Sequence, residues 1–231
     1  MTVLVLISSV VIGVIMVLAF KPSTKIIQLL LAFSGAYLLS ITVLHLLPEV
    51  FKSNKEGIGI YILIGILLQT ILEYFSKGAE HGHIHTHSHS KVSSIPWLLL
   101  ISLNLHAFFE GIPLRDVHNK LLLWAIVIHK VPVSIVLFIF FISSNISKKY
   151  SYLLMAVFAL MSPLGYLISN DELYYQYNTE ITAIIIGIFL HIATAILFES
   201  SQNHQFNIRK FVAVLTGFAV AFLSTQILHF H

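Results

Sequence analysis

The sequence predicts an all-α integral membrane protein with eight transmembrane helices. Of its 231 residues, 57% are hydrophobic and only 10% are charged, whereas an ordinary soluble domain carries about 25% charged residues. The mean hydropathy is +0.90. Apolar runs long enough to cross a bilayer, which takes about 20 residues per helix, make up most of the chain. We therefore expect residues 1–231 to form a single transmembrane domain.

The eight predicted spans are separated by charges or turn residues. In chain order they are Val3–Phe20, Ile26–Leu47, Ile58–Phe75, Pro96–Leu114, Leu121–Ile142, Tyr150–Ile168, Ile181–Phe198 and Phe211–Leu228. The first run lacks a basic start and a small-residue cleavage site, and its apolar core is too long for a signal peptide. We therefore interpret it as a retained helix.

The distribution of positive charge between loops predicts the orientation, because cytoplasmic loops are enriched in Lys and Arg. With eight spans, both ends of the chain lie on the same side. One set of loops holds Lys21, Lys25, Lys77, Lys91, Lys148, Lys149, Arg209 and Lys210; the opposite set holds Lys52, Lys55, Arg115 and Lys120. The richer set is predicted to be cytoplasmic, which places both termini outside.

Composition also excludes several partners and chemistries. The chain has no cysteine, so disulfides and thiolate metal sites are excluded and any metal must be held by nitrogen and oxygen ligands. The net charge is only +3, and the basic residues lie at span ends rather than in a stripe, so nucleic acid is not an expected partner. No phosphate-binding loop of the G-x-x-x-x-G-K type occurs, so ATP is not an expected direct energy source.

The loop of residues 76–95, on the predicted cytoplasmic side, is rich in histidine. Its alternating histidines are His81, His83, His85, His87 and His89. Such a tract is a flexible metal chelator; the alternatives are an expression tag or a merely polar linker. A tag is not expected in mid-chain and usually lacks spacer residues, so we predict a metal-buffering loop.

The fourth and fifth spans carry an unusual cluster of polar residues. Ser102, His106 and Glu110 are four residues apart and share one helix face, and the next span carries His129 and Lys130. A charged residue at a helix centre costs roughly 2.5–3.5 kcal/mol in insertion, so such residues usually face one another, a cavity or an ion. Imidazole and carboxylate ligands together suit Zn, Fe or Mn. The cluster predicts a mid-membrane metal site held by His106, Glu110 and His129, with an exchangeable fourth position.

Lys130 bears on how many ions this site holds. It follows His129 directly in the sequence, so its ammonium would repel a second cation and could pair with Glu110. We predict that Lys130 replaces a second metal ion and that the site is mononuclear. The alternative is that Lys130 extends toward the membrane surface or contacts a backbone carbonyl.

Two further pairs of residues are candidates for an access path. His45 and Glu49 share a face at the outer end of the second span, and His191 and Glu199 lie in the middle and at the inner end of the seventh. A structural role for either pair is an equal alternative. Glu73, at the inner end of the third span, is interpreted as a solvated helix end.

Five motifs in order carry a resemblance to a known family. They are H-L-L-P-E at 45–49, H-A-F-F-E-G at 106–111, H-K-V-P at 129–132, M-S-P-L-G at 161–165 and G-I-F-L-H at 187–191. With the His-rich loop, they resemble the ZIP family of divalent-metal transporters. The resemblance implies helices arranged three, two, three, with the transport site in the central pair, and import of Zn²⁺, or of Fe²⁺, Mn²⁺ or Cd²⁺, into the cytoplasm. It also implies a homodimer, and the similar second and seventh spans hint at an inverted repeat.

The departures from the family pattern concern the second metal. Members with two metals typically have Asn where Ala107 stands and carboxylates where Lys130 and Val133 stand; some have a carboxylate where Ser162 stands. The resemblance therefore implies a single site, with Ser162 at most a neighbour.

Two other functions use the same residues. The chain could be a membrane-embedded metalloenzyme, or a haem protein in which His106 and His129 are the axial ligands. A zinc exporter of the cation-diffusion type is not expected, because that class has fewer spans and a cytoplasmic metal domain for which the predicted spans leave no room. We expect a transporter and not an enzyme, and the small size and short loops indicate a prokaryotic cytoplasmic membrane.

Overall fold

The computed structural model describes residues 1–76, 96–115, 120–144, 146–169, 171–199 and 208–229. These ranges contain the eight predicted helices, each long and apolar enough to cross a membrane. They are α1 (Thr2–Phe20), α2 (Thr24–Lys52), α3 (Ile58–Ser76), α4 (Trp97–Arg115), α5 (Lys120–Ser143), α6 (Lys148–Ile168), α7 (Asp171–Glu199) and α8 (Ile208–His229). The predicted number and order of spans are confirmed.

Most helices extend slightly beyond their predicted ends, and two of them do so by more than a turn. α7 begins at Asp171 rather than at Ile181, and its polar first turns include the non-helical residue Tyr177 (φ −120°, ψ 18°). α2 continues past Leu47 to Lys52. Hydropathy marks only the part of a helix that suits lipid, whereas backbone hydrogen bonds continue the helix into the polar flanks.

The outer part of α2 is not regular. Residues Thr42–Leu46 form a π-helical turn, and α-helix resumes at Leu47. Pro48 lacks an N–H group and its ring crowds the carbonyl of Leu44, one turn earlier. A widened turn relieves this conflict, and π-turns of this kind are frequent at functional sites. His45 lies inside this turn.

The helices pack as two groups. In one, α1 contacts α5 and α6, and α4 contacts α6; in the other, α2 contacts α7 and α8, and α3 contacts α7. The groups meet where α5 lies against α2 and α4 lies against α3. In an inverted repeat, α1, α2 and α3 correspond to α6, α7 and α8, and α4 corresponds to α5. The α2–α8 contact then corresponds to the α7–α3 contact, and the α1–α5 contact corresponds to the α6–α4 contact. These two pairs of contacts are related as an inverted repeat requires. The contacts between the groups are not, because the counterparts of α5–α2 and α4–α3 would be α4–α7 and α5–α8, which are much less extensive.

Glycines bring two pairs of helices into close contact. A Cβ atom at Gly165 of α6 would lie 2.0 Å from the carbonyl oxygen of Phe108 in α4. A Cβ atom at Gly65 of α3 would lie 1.9 Å from the carbonyl oxygen of Ile184 in α7. Small residues allow membrane helices to approach this closely. The contact at Gly165, the last residue of the M-S-P-L-G motif, therefore joins α4 to α6.

The fifth helix lies at the centre of the bundle. In the most apolar 18-residue stretch of α5, 72% of the residues are buried. The corresponding share is 28% in α1 and 17% in α8. The large apolar side chains of the outer helices instead face outward, as expected for surfaces in contact with lipid. Polar residues on α5 are consequently far from both water and lipid, and they need partners inside the protein.

Candidate metal site

The polar side chains of α4 and α5 meet in the interior. His106 and Glu110 are each 2% exposed, and His129 and Lys130 are each 1% exposed. The i, i+4 spacing places the first two on one face of α4, and α5 presents the other two from the centre of the bundle. The structure thus brings together four of the five residues that the sequence singled out as a central cluster.

Three of these side chains have the geometry of a metal-binding group. His106, Glu110 and His129 each offer a ligand atom, and these atoms lie within 4.8 Å of one another. His106 Nε2 is 2.9 Å from Glu110 Oε1, and the two imidazole rings stand almost perpendicular, with centroids 6.4 Å apart. Ligands of a tetrahedral zinc ion are roughly 3.3 Å apart, given metal–ligand bonds of about 2 Å. Small side-chain movements would therefore suffice to enclose an ion.

Lys130 forms an ion pair with the other carboxylate oxygen of Glu110. Its Nζ lies 2.6 Å from Glu110 Oε2 and 5.1 Å from the ring centroid of Phe158 in α6. The side chain therefore does not extend to the membrane surface, which was the alternative interpretation. An ammonium at this position supplies a positive charge beside the carboxylate, where a second cation would be repelled.

Sequence reasoning missed one residue of this cluster. Gln69 of α3 is fully buried, and its Oε1 lies 3.3 Å from His106 Nδ1. About one helical turn away on both helices, Ser102 Oγ of α4 donates a hydrogen bond to the carbonyl oxygen of Leu72 in α3. The available signal was a single amide inside the apolar third span, where polar residues usually face the bundle interior.

Ser162, expected at most as a neighbour of the site, has another role. Its Oγ donates a hydrogen bond to the carbonyl oxygen of Ala107 at 2.5 Å. Beside it, a Cβ atom at Gly111 would lie 2.0 Å from the carbonyl oxygen of Ser162. Ser162 therefore holds α6 against α4.

The residues proposed for an access path form separate pairs. His45 Nε2 is 4.0 Å from Glu49 Oε2, and the two side chains are 22% and 53% exposed. His191 Nε2 contacts Glu73 Oε2, and His191 Nδ1 is 3.5 Å from Thr70 Oγ1. The interpretation of Glu73 as a solvated end was wrong, because α3 packs closely on α7 and brings this carboxylate to the imidazole.

Two other predicted groups cannot be placed. The side chain of Glu199, the last residue of α7, lies outside the described residues. The same holds for the alternating histidines of the 76–95 loop, which are His81, His83, His85, His87 and His89.

Comparisons of the sequence with known proteins point to one family. The family model described as "ZIP Zinc transporter" matches residues 74–225, which is well over half of the chain. The chain is 30% identical over 168 residues to "Protein zntD" of Dictyostelium discoideum, covering 62% of this chain and 25% of the relative. It is 31% identical over 152 residues to "Zinc transporter ZIP1" of Danio rerio, covering 61% of this chain and 50% of the relative. The matches thus span half or less of the length of these curated relatives.

Proposed function

This chain belongs to the ZIP zinc transporter family, and from that premise we propose that it imports a divalent transition metal, foremost Zn²⁺, into the cytoplasm. The observation that carries the proposal is the convergence of His106, Glu110 and His129 in the interior of a membrane protein. Two imidazoles and a carboxylate suit zinc, and they also accept Fe²⁺, Mn²⁺ or Cd²⁺.

The proposed ion is bound as cargo, not as a resident cofactor. Three protein ligands leave one coordination position for water, so the ligands can exchange; a closed tetrahedron of four protein ligands is typical of structural zinc. The site's three ligands belong to α4 and α5, which lie against α3 and α2 of the other helix group. Elevator or rocking movement of one group along the other would expose the site to the two sides in turn.

The remaining predicted residues fit a path on either side of this site. With both termini outside, His45 and Glu49 lie at the outer mouth, and His191 with Glu73 lies on the inner side, before Glu199. The 76–95 loop follows α3 directly, so its five histidines would chelate metal on the cytoplasmic side. In this proposal the ion passes from the outer pair to the central ligands and then to the inner pair.

The two alternative functions fit the site less well. A metallohydrolase needs a free general base beside the metal-bound water, but Glu110 is held by Lys130 and approaches His106. A porphyrin between His106 and His129 would have to displace the same carboxylate. A Soret band in the purified protein would favour the haem protein.

Zinc uptake into proteoliposomes that enclose a zinc-sensitive dye tests the proposal. We expect His106→Ala and His129→Ala to reduce influx to that of protein-free liposomes, since each removes one of three ligands. Leu105→Ala and Trp124→Ala are matched controls, because these neighbouring side chains are exposed. Wild-type influx in both histidine variants would reject the proposed site. Competition with Fe²⁺, Mn²⁺ and Cd²⁺ in the same assay ranks the metals.

We also propose a prokaryotic cytoplasmic membrane as the location and a homodimer as the assembly. The short loops between spans support the location, and the family resemblance supports the dimer. The mass of the detergent-solubilised protein, corrected for bound detergent, distinguishes one copy from two.

A further inference from the structure

One side chain reaches the central site from the other helix group. Gln69 lies on α3, which is in close contact with α7 through Gly65. His106 lies on α4, which is in close contact with α6 through Gly165. The contact between Gln69 Oε1 and His106 Nδ1, at 3.3 Å, therefore crosses the boundary along which the two groups meet.

The chemistry of this contact determines the tautomer of the histidine. A carbonyl oxygen can only accept a hydrogen bond, so Nδ1 of His106 carries the proton. Nε2 is then the nitrogen that faces the carboxylate, 2.9 Å from Glu110 Oε1; it donates a proton to that oxygen in the metal-free site, and a metal ion bound at Nε2 takes the place of that proton. Metal-binding histidines almost always donate their second ring N–H to a partner, which orients the ring and raises its basicity as a ligand.

We propose that Gln69 is a positioning residue that holds His106 in the metal-binding tautomer and orientation while α4 lies against α3. The inference rests on the proposed function, and it adds a state dependence to it. Sliding of α4 along α3 breaks this hydrogen bond, so the tight form of the site is confined to the arrangement of helices described above. Differential affinity between two arrangements is what allows an ion to be captured in one and released in the other.

Because Gln69 is buried, it could either fill space in the interior or position His106. The two roles predict opposite effects of substitution. As a packing residue, it would be replaced well by Leu, which has a similar volume and no polar group to satisfy, and badly by Glu, which brings a charge into the interior. As a positioning residue, it would be replaced badly by Leu and well by Glu, since a carboxylate is the common partner of a metal-bound histidine.

The test compares Gln69→Leu and Gln69→Glu in two measurements. One is the zinc dissociation constant of the detergent-solubilised protein, titrated against a competing chelator; the other is the KM and maximal rate of zinc uptake in proteoliposomes. We expect Gln69→Leu to weaken zinc binding about 10- to 100-fold and to raise KM in parallel, while Gln69→Glu stays within about threefold of wild type. Ile71→Ala, on an exposed face of α3, is the control and leaves both constants unchanged.

The outcomes separate this inference from the proposed function. Wild-type zinc affinity in the Gln69→Leu variant, with uptake still lost in His106→Ala, would overturn the role of Gln69 and leave the transporter intact. Absence of zinc uptake by the wild-type protein would reject the transporter. If Gln69→Leu does not fold, Gln69→Asn replaces it, because its shorter amide cannot reach Nδ1; an unchanged dissociation constant would then also overturn the inference.

Discussion

The ammonium of Lys130 lies 2.6 Å from Glu110 Oε2 in the interior of a bundle of membrane-spanning helices. The two side chains are 1% and 3% exposed. Both charges have lost their hydration, so each depends on the other and on nearby polar groups for compensation. The pair therefore accounts for a lysine in the middle of an apolar helix, and it predicts how the site responds when either charge is removed.

Removal of the lysine charge should destabilise the metal-free protein. We expect Lys130→Met to lower the free energy of unfolding by about 3–5 kcal/mol, because Glu110 is left as an uncompensated buried charge. Added zinc should restore part of this loss, since the ion replaces the missing positive charge. Thermal unfolding with and without zinc measures both effects. Lys52→Met is the control: Lys52 is exposed at the end of α2, so its loss should change the free energy of unfolding by no more than about 0.5 kcal/mol.

Reversal of the lysine charge should change the number of ions bound. Lys130→Asp replaces a cation with an oxygen ligand beside Glu110, and carboxylates are ligands for divalent metals. We expect the purified variant to bind two zinc ions per chain and the wild type to bind one. Mass spectrometry of metal content after equilibrium dialysis measures the ratio. A ratio of one in both proteins would contradict the proposed role of Lys130 as the substitute for a second ion.

Close packing of α4 against α6 should make Gly165 intolerant of substitution. The added methyl of Gly165→Ala would lie 2.0 Å from the carbonyl oxygen of Phe108, and overpacking of this kind costs about 1–3 kcal/mol. Gly59→Ala is the matched control, because a Cβ atom there meets nothing within 4 Å, and alanine favours the helix by about 0.5–1 kcal/mol. In thermal unfolding, Gly59→Ala should melt at or above the temperature of wild type and Gly165→Ala below it. Equal melting temperatures for Gly165→Ala and wild type would contradict the close contact between Gly165 and Phe108.

The inner pair should affect release more than capture. We expect His191→Ala and Glu73→Gln to lower the maximal rate of zinc uptake severalfold while KM stays within about twofold, since these side chains would act after the ion leaves the central ligands. Tyr74→Ala changes an exposed neighbour of Glu73 and should alter neither constant. An unchanged maximal rate in both variants would indicate that the pair only holds α3 to α7.

The proposed orientation can be tested by labelling, because the chain has no cysteine of its own. A membrane-impermeant maleimide applied to intact cells should label Glu56→Cys, in the loop before α3, and not Lys25→Cys, at the start of α2. Both positions are exposed, so accessibility does not distinguish them. The reverse pattern would place the termini in the cytoplasm and the His-rich loop outside.

Much of the site could be anticipated because it depends on local patterns. His106 and Glu110 are one helical turn apart, and this spacing alone places them on one face. Gly165 and Ser162 belong to a short motif beside a proline, which indicates close helix contact. The role of Ser162 was less apparent, because its hydroxyl bonds the carbonyl of Ala107, and no local pattern specifies a partner on another helix.

Residues distant in the chain were the ones that sequence reasoning missed or misjudged. Gln69 and His106 are 37 positions apart, and Glu73 and His191 are 118 positions apart. In the sequence, Gln69 is a single amide inside an apolar run and Glu73 lies near the end of that run. No spacing links either residue to a histidine elsewhere.

The sequence by itself determined the eight helices, their order and the polar stripe on α4, because hydrophobicity and helical periodicity are properties of neighbouring residues. The tertiary structure decided which helices touch, and so it alone placed Gln69 against His106 and Glu73 against His191. The physical reason is that packing between membrane helices depends on shape and on small residues such as Gly65 and Gly165, whose partners can lie anywhere along the chain.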